Sequence, residues 1–229
     1  MALRILTANL ANGRADPAAF AALVRESGAE VVAVQELAPE QADALARVLG
    51  HGRLDPRRDK RGMGIALARP ARSSRIPLRH RDAQAAELDP SDWPGLAAPL
   101  EVLNVHLEAT SFRRPWVQLA RRRHQVRGLL AHLDASPGRP RVLVGDLNAT
   151  PLWPAYRRLA TRLEDAALLH ARRRGVRPAR TWPRGVGRLR LLRLDHCLAR
   201  GCEVTRVEVL DLRGSDHCAV LVEVIAGRP

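Results

Sequence analysis

The chain has 229 residues, 46% of them apolar, 27% charged and only 3% aromatic, with a net charge of +14. That length can bury a substantial core, that apolar content excludes wholesale disorder, and the absence of an 18-residue apolar run excludes an ordinary transmembrane helix. Almost all the positive charge is arginine, Lys60 being the sole lysine; GC-rich coding accounts for that choice of cation, but the charge itself still favours polyanionic partners such as nucleic acid or an anionic membrane surface.

Taken in chain order, the apolar pattern alternates strand and helix. "RILTAN" reads as a first strand. "ADPAAFAALVRESGAE" reads as a helix with Asp16 as N-cap, Pro17 at the first helical position and Gly28 as its stop. "VVAVQE" has the continuous apolar run of a buried strand, and "PEQADALARVLG" reads as a second helix ending at Gly50. "MGIALA" and "LEVLNVHL" follow as strands. Between them, residues 70–99 are rich in Arg, Pro and Asp and read as a long surface excursion with little regular structure.

A long helix is expected from about Pro115 to Asp134, where Val126, Leu129, Leu130 and Leu133 make an apolar stripe. Extended backwards to Leu119, the stripe passes Arg122 and Arg123, so one arginine is expected at the core edge, where it reads as snorkelling to solvent. "RVLVGD" is the next strand, then a helix from about Pro151, then a basic loop "HARRRGVRPAR". The segments "LRLLRLDHCLA", "VTRVEVLDL" and "HCAVLVEVI" close the chain as strands. No linker or repeat divides the sequence, so residues 1–229 are expected to form a single α/β domain with more than one sheet layer.

Short polar residues fall at the ends of these strands: Asn9, Glu36, His106, Asp146 with Asn148, Asp195 with His196, and Asp216–His217. Each has an ordinary explanation alone, because an Asp or Asn after a strand is commonly a turn or cap residue. As a set, converging carboxylates would be costly to bury without a cation. Oxygen donors without cysteine suit Mg²⁺ or Mn²⁺ and argue against structural zinc. Cys197, Cys202 and Cys218 have no zinc-like spacing and do not form a disulfide framework.

"TANL", "VQE", "NVHLEA", "GDLNATP", "RLDH" and "GSDH", in that order over the whole chain, resemble the endonuclease/exonuclease/phosphatase superfamily with the DNase-I-like fold. "TWP" at residues 181–183 also matches a pattern common in its bacterial members. The resemblance implies a four-layer α/β sandwich, with two mixed β-sheets face to face and helices outside, and Mg²⁺-dependent (or Mn²⁺-dependent) phosphoester hydrolysis. It implies Glu36 as principal metal ligand with Asn9 beside it, and Asp216 at the metal or on a metal-bound water. Asp146 would position or deprotonate the attacking water, and Asn148 would orient it. His217 would contact the phosphate with Asp195 fixing its tautomer, and His106 would donate to a non-bridging oxygen. The general base is left open between Asp146 and the Asp195–His217 pair.

Departures from the family's abasic-site endonucleases are visible. Leu37 follows Glu36 where those enzymes carry Thr-Lys, and His106 replaces a tyrosine, as in DNase I, the sphingomyelinases and the phosphatases. His196 stands where tyrosine is common and reads as an imidazole behind the site or simply solvated. Of the basic runs "RRDKRG", "RRRHQ" and "HARRRGVRPAR", none is interleaved with Tyr or Phe, so they read as solvated faces. The exception is Arg172, Arg173 and Arg174, expected to flank the site and bind substrate. The leading expectation is thus a nuclease acting on nucleic acid. The alternatives are a phosphatase or lipid phosphodiesterase, inositol-phosphate or sphingomyelinase-like, or a non-catalytic basic binding module. The N-terminus lacks the pattern of a secretory signal, so a cytoplasmic monomer without stable membrane insertion is expected.

Overall fold

The computed structural model describes residues 2–110, 115–183 and 189–227. In chain order its elements are β1 (Leu3–Asn9), α1 (Pro17–Ser27), β2 (Val31–Gln35), α2 (Pro39–Ala46), β3 (His51–Asp55), β4 (Met63–Leu67), β5 (Arg72–Ile76), β6 (Ala83–Leu88) and β7 (Leu100–His106). They continue with α3 (Pro115–Asp134), β8 (Arg141–Asp146), α4 (Pro154–Leu159), β9 (Glu164–Asp165), α5 (Ala166–Arg174), β10 (Asp195–Arg200), β11 (Cys202–Leu210) and β12 (Ala219–Ala226).

The strands make two six-stranded sheets, ordered β11-β12-β1-β2-β4-β3 and β5-β6-β7-β8-β10-β9. In the centre of each, one pair runs parallel, β1 with β2 and β7 with β8, and the other pairings are antiparallel. Alternation along each strand sends side chains to two different cores. Leu3 and Ile5 of β1 join Val31, Ala33 and Ile65 against Val102, Val142 and Val144 of the other sheet, filling the space between the sheets. Leu6 and Ala8, one position on, face Phe20 and Val24 of α1 and Leu45 of α2. On the far side, Leu103, Val105 and Leu143 pack on Val126, Leu129 and Leu133 of α3 and Leu159 of α4. The result is helix, sheet, sheet, helix: the four-layer α/β sandwich.

Local chemistry accounts for the elements. The Asp16 carboxylate accepts from the Ala19 N–H, Pro17 opens α1, and Gly28 closes it in the left-handed region at φ 61°. Three sequence expectations need correction. Residues 70–99 are not an irregular excursion, because they supply β5 and β6; the buried "AQAA" of β6 is too poor in β-branched residues to announce a strand. The first half of the basic "loop", residues 170–174, is the end of the helix α5, which Asp165 caps on the Leu168 N–H and Gly175 stops at φ 65°; residues 176–180 are irregular. Arg122 does not snorkel; it is buried on α3. Boundaries also move: α2 ends at Ala46 and not at Gly50. The helix expected from Pro151 is α4, beginning at Pro154, and β10 starts at Asp195, so that residue heads its strand instead of interrupting one.

Candidate active site

Both parallel strand pairs finish at the same end of the sandwich, and the polar strand-end residues meet there. In one sheet His106 and Asp146 are paired across β7 and β8, and Asp195 is paired with Asp146 across β8 and β10. Three functional side chains therefore stand in a row on adjacent strands. Gly145 allows the close approach: its φ is 137°, and a Cβ there would lie 1.9 Å from the Val105 carbonyl oxygen. In the other sheet Asn9 ends β1 and Glu36 immediately follows β2, with φ 55°, a left-handed conformation that costs of order 1–3 kcal/mol in a non-glycine residue. The cleft between these ends measures about 550 Å³ and is lined by Asn9, Glu36, Asp146, Asn148, Asp216 and His217, with Lys60, Arg14 and Trp182 at its borders.

Asp146 is the hub. Its Oδ2 accepts from Asn9 Nδ2 at 3.0 Å, a bond that ties the two sheets together, and from Asn148 Nδ2 at 3.1 Å. Its Oδ1 accepts from the Asn148 N–H at 2.7 Å. Asn148 is left-handed at φ 46° and also donates to the Leu107 carbonyl at 3.0 Å, which fixes the turn after β8. Burial pushes the Asp146 carboxyl up, and the Asp195 charge adds to this, while His217 and the bonds from Asn148 and Asn9 oppose it.

His217 Nδ1 faces both Asp195 oxygens, at 2.9 and 3.2 Å. Its Nε2 is turned towards Asp146, 3.9 Å from Oδ2. Burial works against a charged imidazole, but the adjacent Asp195 carboxylate outweighs it, and His217 rises to about 10. The loop carrying it is pinned by Ser215, whose hydroxyl donates to the Asn9 carbonyl at 2.7 Å and accepts the His217 N–H at 3.0 Å. His106 behaves oppositely. It is buried, and desolvation together with the cations Arg81, His217 and Lys60 holds it well below the usual imidazole range. Its Nε2 is 3.8 Å from Glu36 Oε1 and 3.7 Å from Asp146 Oδ2.

Asn9, Glu36, His106, Asp146, Asn148, Asp195 and His217 thus come together. Asn9 uses its carbonyl oxygen on the Ala11 N–H at 2.9 Å and its amide on Asp146. Asp216 borders the cleft, paired with Arg14 at 2.9 Å and accepting from Trp182 Nε1 at 3.3 Å. Arg172, Arg173 and Arg174 ride on α5 and are absent from the cleft lining; Arg173 donates to the Val204 carbonyl at 2.9 Å. His196 is buried behind the site, 2.8 Å from the Ala149 carbonyl and 4.9 Å from the Tyr156 ring, so it is not solvated.

Several contributors escaped the sequence reading. Arg122 donates from Nε to the Glu108 carbonyl and from Nη2 to the Thr110 hydroxyl, holding the segment that follows β7. Thr181 accepts the N–H groups of Leu194 and Asp195 at 3.1 and 3.2 Å and so seats Asp195. Arg81 buries two guanidinium nitrogens, Nε and Nη1, with no partner among the described residues, within the electrostatic reach of Glu36, Glu108 and Asp146. The apolar stripe that runs back through Arg122 is a usable signal for that residue, and Thr181 opens the "TWP" motif; nothing in the sequence marks Arg81.

The donor set suits a divalent cation. Glu36 is buried yet makes no hydrogen bond among the described residues, its His106 contact being too long. Asp146, Asp195 and His217 also place one ligand atom each within 4.8 Å of one another. Carboxylates gathered this closely, one of them disfavoured as an anion, are what a bound cation relieves.

Comparison with known proteins matches this fold. The fold matches an endonuclease/exonuclease/phosphatase from Beutenbergia cavernae (21% identity, 99% of this chain and 72% of that one, TM-score 0.74). It matches a humanized Danio rerio TDP2 (19%, 97% and 98%, TM-score 0.75) and the human Nocturnin catalytic domain with bound sulfate anion (19%, 97% and 94%, TM-score 0.72). No curated protein matches the sequence. The model of the Endonuclease/Exonuclease/phosphatase family matches residues 6–217, and the chain belongs to that family of phosphoesterases.

Proposed function

We propose that this protein is a divalent-metal-dependent phosphodiesterase that cleaves nucleic acid. The observation that carries the reading is the alignment Asp195–His217–Asp146, in which one buried carboxylate holds the His217 ring at 2.9 Å and its Nε2 lies 3.9 Å from a second carboxylate that lines the cleft.

The two acids differ in what they can do. Asp195 is buried and spends both oxygens on His217 Nδ1, which keeps the proton-bearing Nε2 aimed at the cleft. His217, charged at neutral pH, is then a donor to a non-bridging phosphate oxygen. Asp146, its proton affinity raised by burial, is the better base for a water, which supports assigning it that role ahead of the Asp195–His217 pair. Asn148 and Asn9 fix the orientation of that carboxylate. His106 stays neutral; its Nδ1 is buried with no partner among the described residues while its Nε2 faces the Glu36 and Asp146 carboxylates at 3.8 and 3.7 Å, so we assign the proton to Nε2, from where it can donate into the cleft.

Glu36, the cleft carboxylate that makes no hydrogen bond among the described residues, is the residue we assign to hold Mg²⁺ or Mn²⁺, with Asn9 and Asp216 at its margin; His217, already cationic, is a poor ligand. When bound, the cation neutralises charge building on the phosphate and leaving oxygen. Positioned donors of this kind are each worth roughly 100- to 1,000-fold in rate. The excess of arginine over acid, and the cations Lys60 and Arg81 around the cleft, favour a polyanionic substrate.

The test is hydrolysis of plasmid DNA, single-stranded RNA and bis-p-nitrophenyl phosphate by wild type and His217→Ala, each with Mg²⁺, Mn²⁺ or EDTA. Metal-dependent cleavage of a polymer, lost in the variant, supports the nuclease. Turnover of the small ester alone moves the assignment to the phosphatase or lipid branch.

A further inference from the structure

A second concavity adjoins the cleft. It measures about 540 Å³, lies between α3 and α4, and shares Thr110 and Trp153 with the cleft. Its floor is apolar, from Leu119, Val126, Pro154 and Ala155, and its walls carry Arg122, Arg123, Arg127 and Arg158. Arg123, Arg127 and Arg158 are exposed and form no ion pair with any carboxylate among the described residues. Trp153, 38% exposed, presents its ring between the two concavities, with the Arg122 guanidinium 5.3 Å from the ring centroid. Leu119, Arg122, Arg123, Val126 and Arg127 repeat at the helical three-and-four spacing, and one turn earlier on that face stands Trp116, 80% exposed.

Core packing does not explain these tryptophans. The chain has four, and of these only Trp93 is fully buried; Trp182 and Trp153 line the cleft and Trp116 extends the groove face. An aromatic platform flanked by unpaired guanidinium groups, continuous with a site that takes a phosphodiester, is what an unpaired nucleotide requires: a π-face for the base and cations for the phosphates beside it. A duplex would keep its bases stacked inside and leave the platform empty.

We propose that this groove is a base-stacking subsite for a single-stranded nucleotide flanking the scissile phosphate. Trp153 is its platform, and Arg123, Arg127 and Arg158 take the adjoining phosphates. The inference rests on the nuclease reading above and makes the substrate single-stranded.

Binding measured without turnover separates the two ideas. Anisotropy of a short fluorescein-labelled single-stranded oligonucleotide would be followed in EDTA at several salt concentrations, for wild type, Trp153→Ala, Trp153→Phe and Arg123→Ala/Arg127→Ala. Cleavage of the same oligonucleotide with Mn²⁺ would be followed in parallel. The expected result is binding weakened roughly tenfold in Trp153→Ala and restored in Trp153→Phe. The double arginine variant is expected to show a salt slope shallower by roughly 1. In the cleavage assay KM should rise more than kcat falls. If wild type cleaves the oligonucleotide and all variants bind like it, the subsite is wrong and the nuclease stands. If wild type binds and loses that binding in Trp153→Ala but cleaves nothing, the subsite stands and the nuclease fails. No oligonucleotide binding by wild type overturns the subsite, and binding of phosphatidylcholine–phosphatidylserine vesicles that falls in Trp153→Ala would reassign the groove to lipid.

Discussion

If Asp195 acts only by holding His217, removing its charge should cost nothing once His217 is gone. Asp195→Asn keeps the size and the seat of the side chain, since Thr181 binds the backbone N–H of residue 195 whatever side chain it carries. It removes the carboxylate that faces His217 Nδ1 at 2.9 Å and that lifts the imidazole to about 10 despite burial. The amide can also present its NH₂ group to Nδ1, which turns the tautomer the wrong way. Loss of one positioned donor is worth roughly 100- to 1,000-fold, or about 2.7–4 kcal/mol, with KM changing less. The assay is kcat on bis-p-nitrophenyl phosphate with saturating Mn²⁺ for wild type, Asp195→Asn, His217→Ala and the double variant. The double variant should be no slower than His217→Ala, so that the coupling energy equals almost the whole effect of Asp195→Asn. Losses that multiply, or a wild-type rate in Asp195→Asn, would refute the positioning role.

Other consequences are equally specific. Glu36→Gln should demand much more Mn²⁺ for half-maximal activity while leaving the melting temperature of the metal-free protein close to wild type, read by titration calorimetry and thermal melting. Arg193→Met leaves Asp165 buried with only its Tyr156, His196 and Leu168 partners, so stability should fall by about 3–5 kcal/mol, or roughly 6–20 °C in Tm. Asp55 at the β3 edge is held at about 2 because Arg53, Arg75 and Gln84 overcome its burial. A depressed carboxylate stabilises the fold above its unfolded value near 4 and loses that contribution as pH falls through about 2. Asp55→Asn should therefore cost roughly 1 kcal/mol at pH 7, after solvent screening, and little at pH 2 in urea melts. Gly145→Ala drives a methyl into the Val105 carbonyl at a positive φ and should cost more than about 4 kcal/mol or prevent folding.

How much of this could be read in the sequence depends on the kind of residue. Asn9, Glu36, His106, Asp146, Asp195 and His217 are legible because each interrupts or ends an apolar run, and strands of known direction deliver their ends to one place. The in-register pairing of His106, Asp146 and Asp195 explains why a one-dimensional pattern became a cluster. Alanine hid β6, since it is buried there among its neighbours but carries little strand preference. Arg122 departs from its pattern because an arginine on an apolar stripe usually reaches solvent, whereas here the Glu108 carbonyl and Thr110 satisfy it inside. The basic run of α3 has no Tyr or Phe interleaved in sequence, and it meets Trp153 only through the packing of α4 on α3. Arg172–Arg174 show the reverse: they are near the site's motifs along the chain, but α5 packs on β11 and they stay exposed, with Arg173 donating to the Val204 carbonyl. Sequence neighbours say little about sides of a helix.

The most direct measurement of the central claim is cleavage of an end-labelled single-stranded oligonucleotide by wild type and Asp146→Ala, with Mn²⁺ and with EDTA. The account predicts shortened products only for wild type with metal, and at least a 100-fold slower reaction in the variant. Undiminished cleavage by Asp146→Ala, or equal cleavage in EDTA, would contradict it.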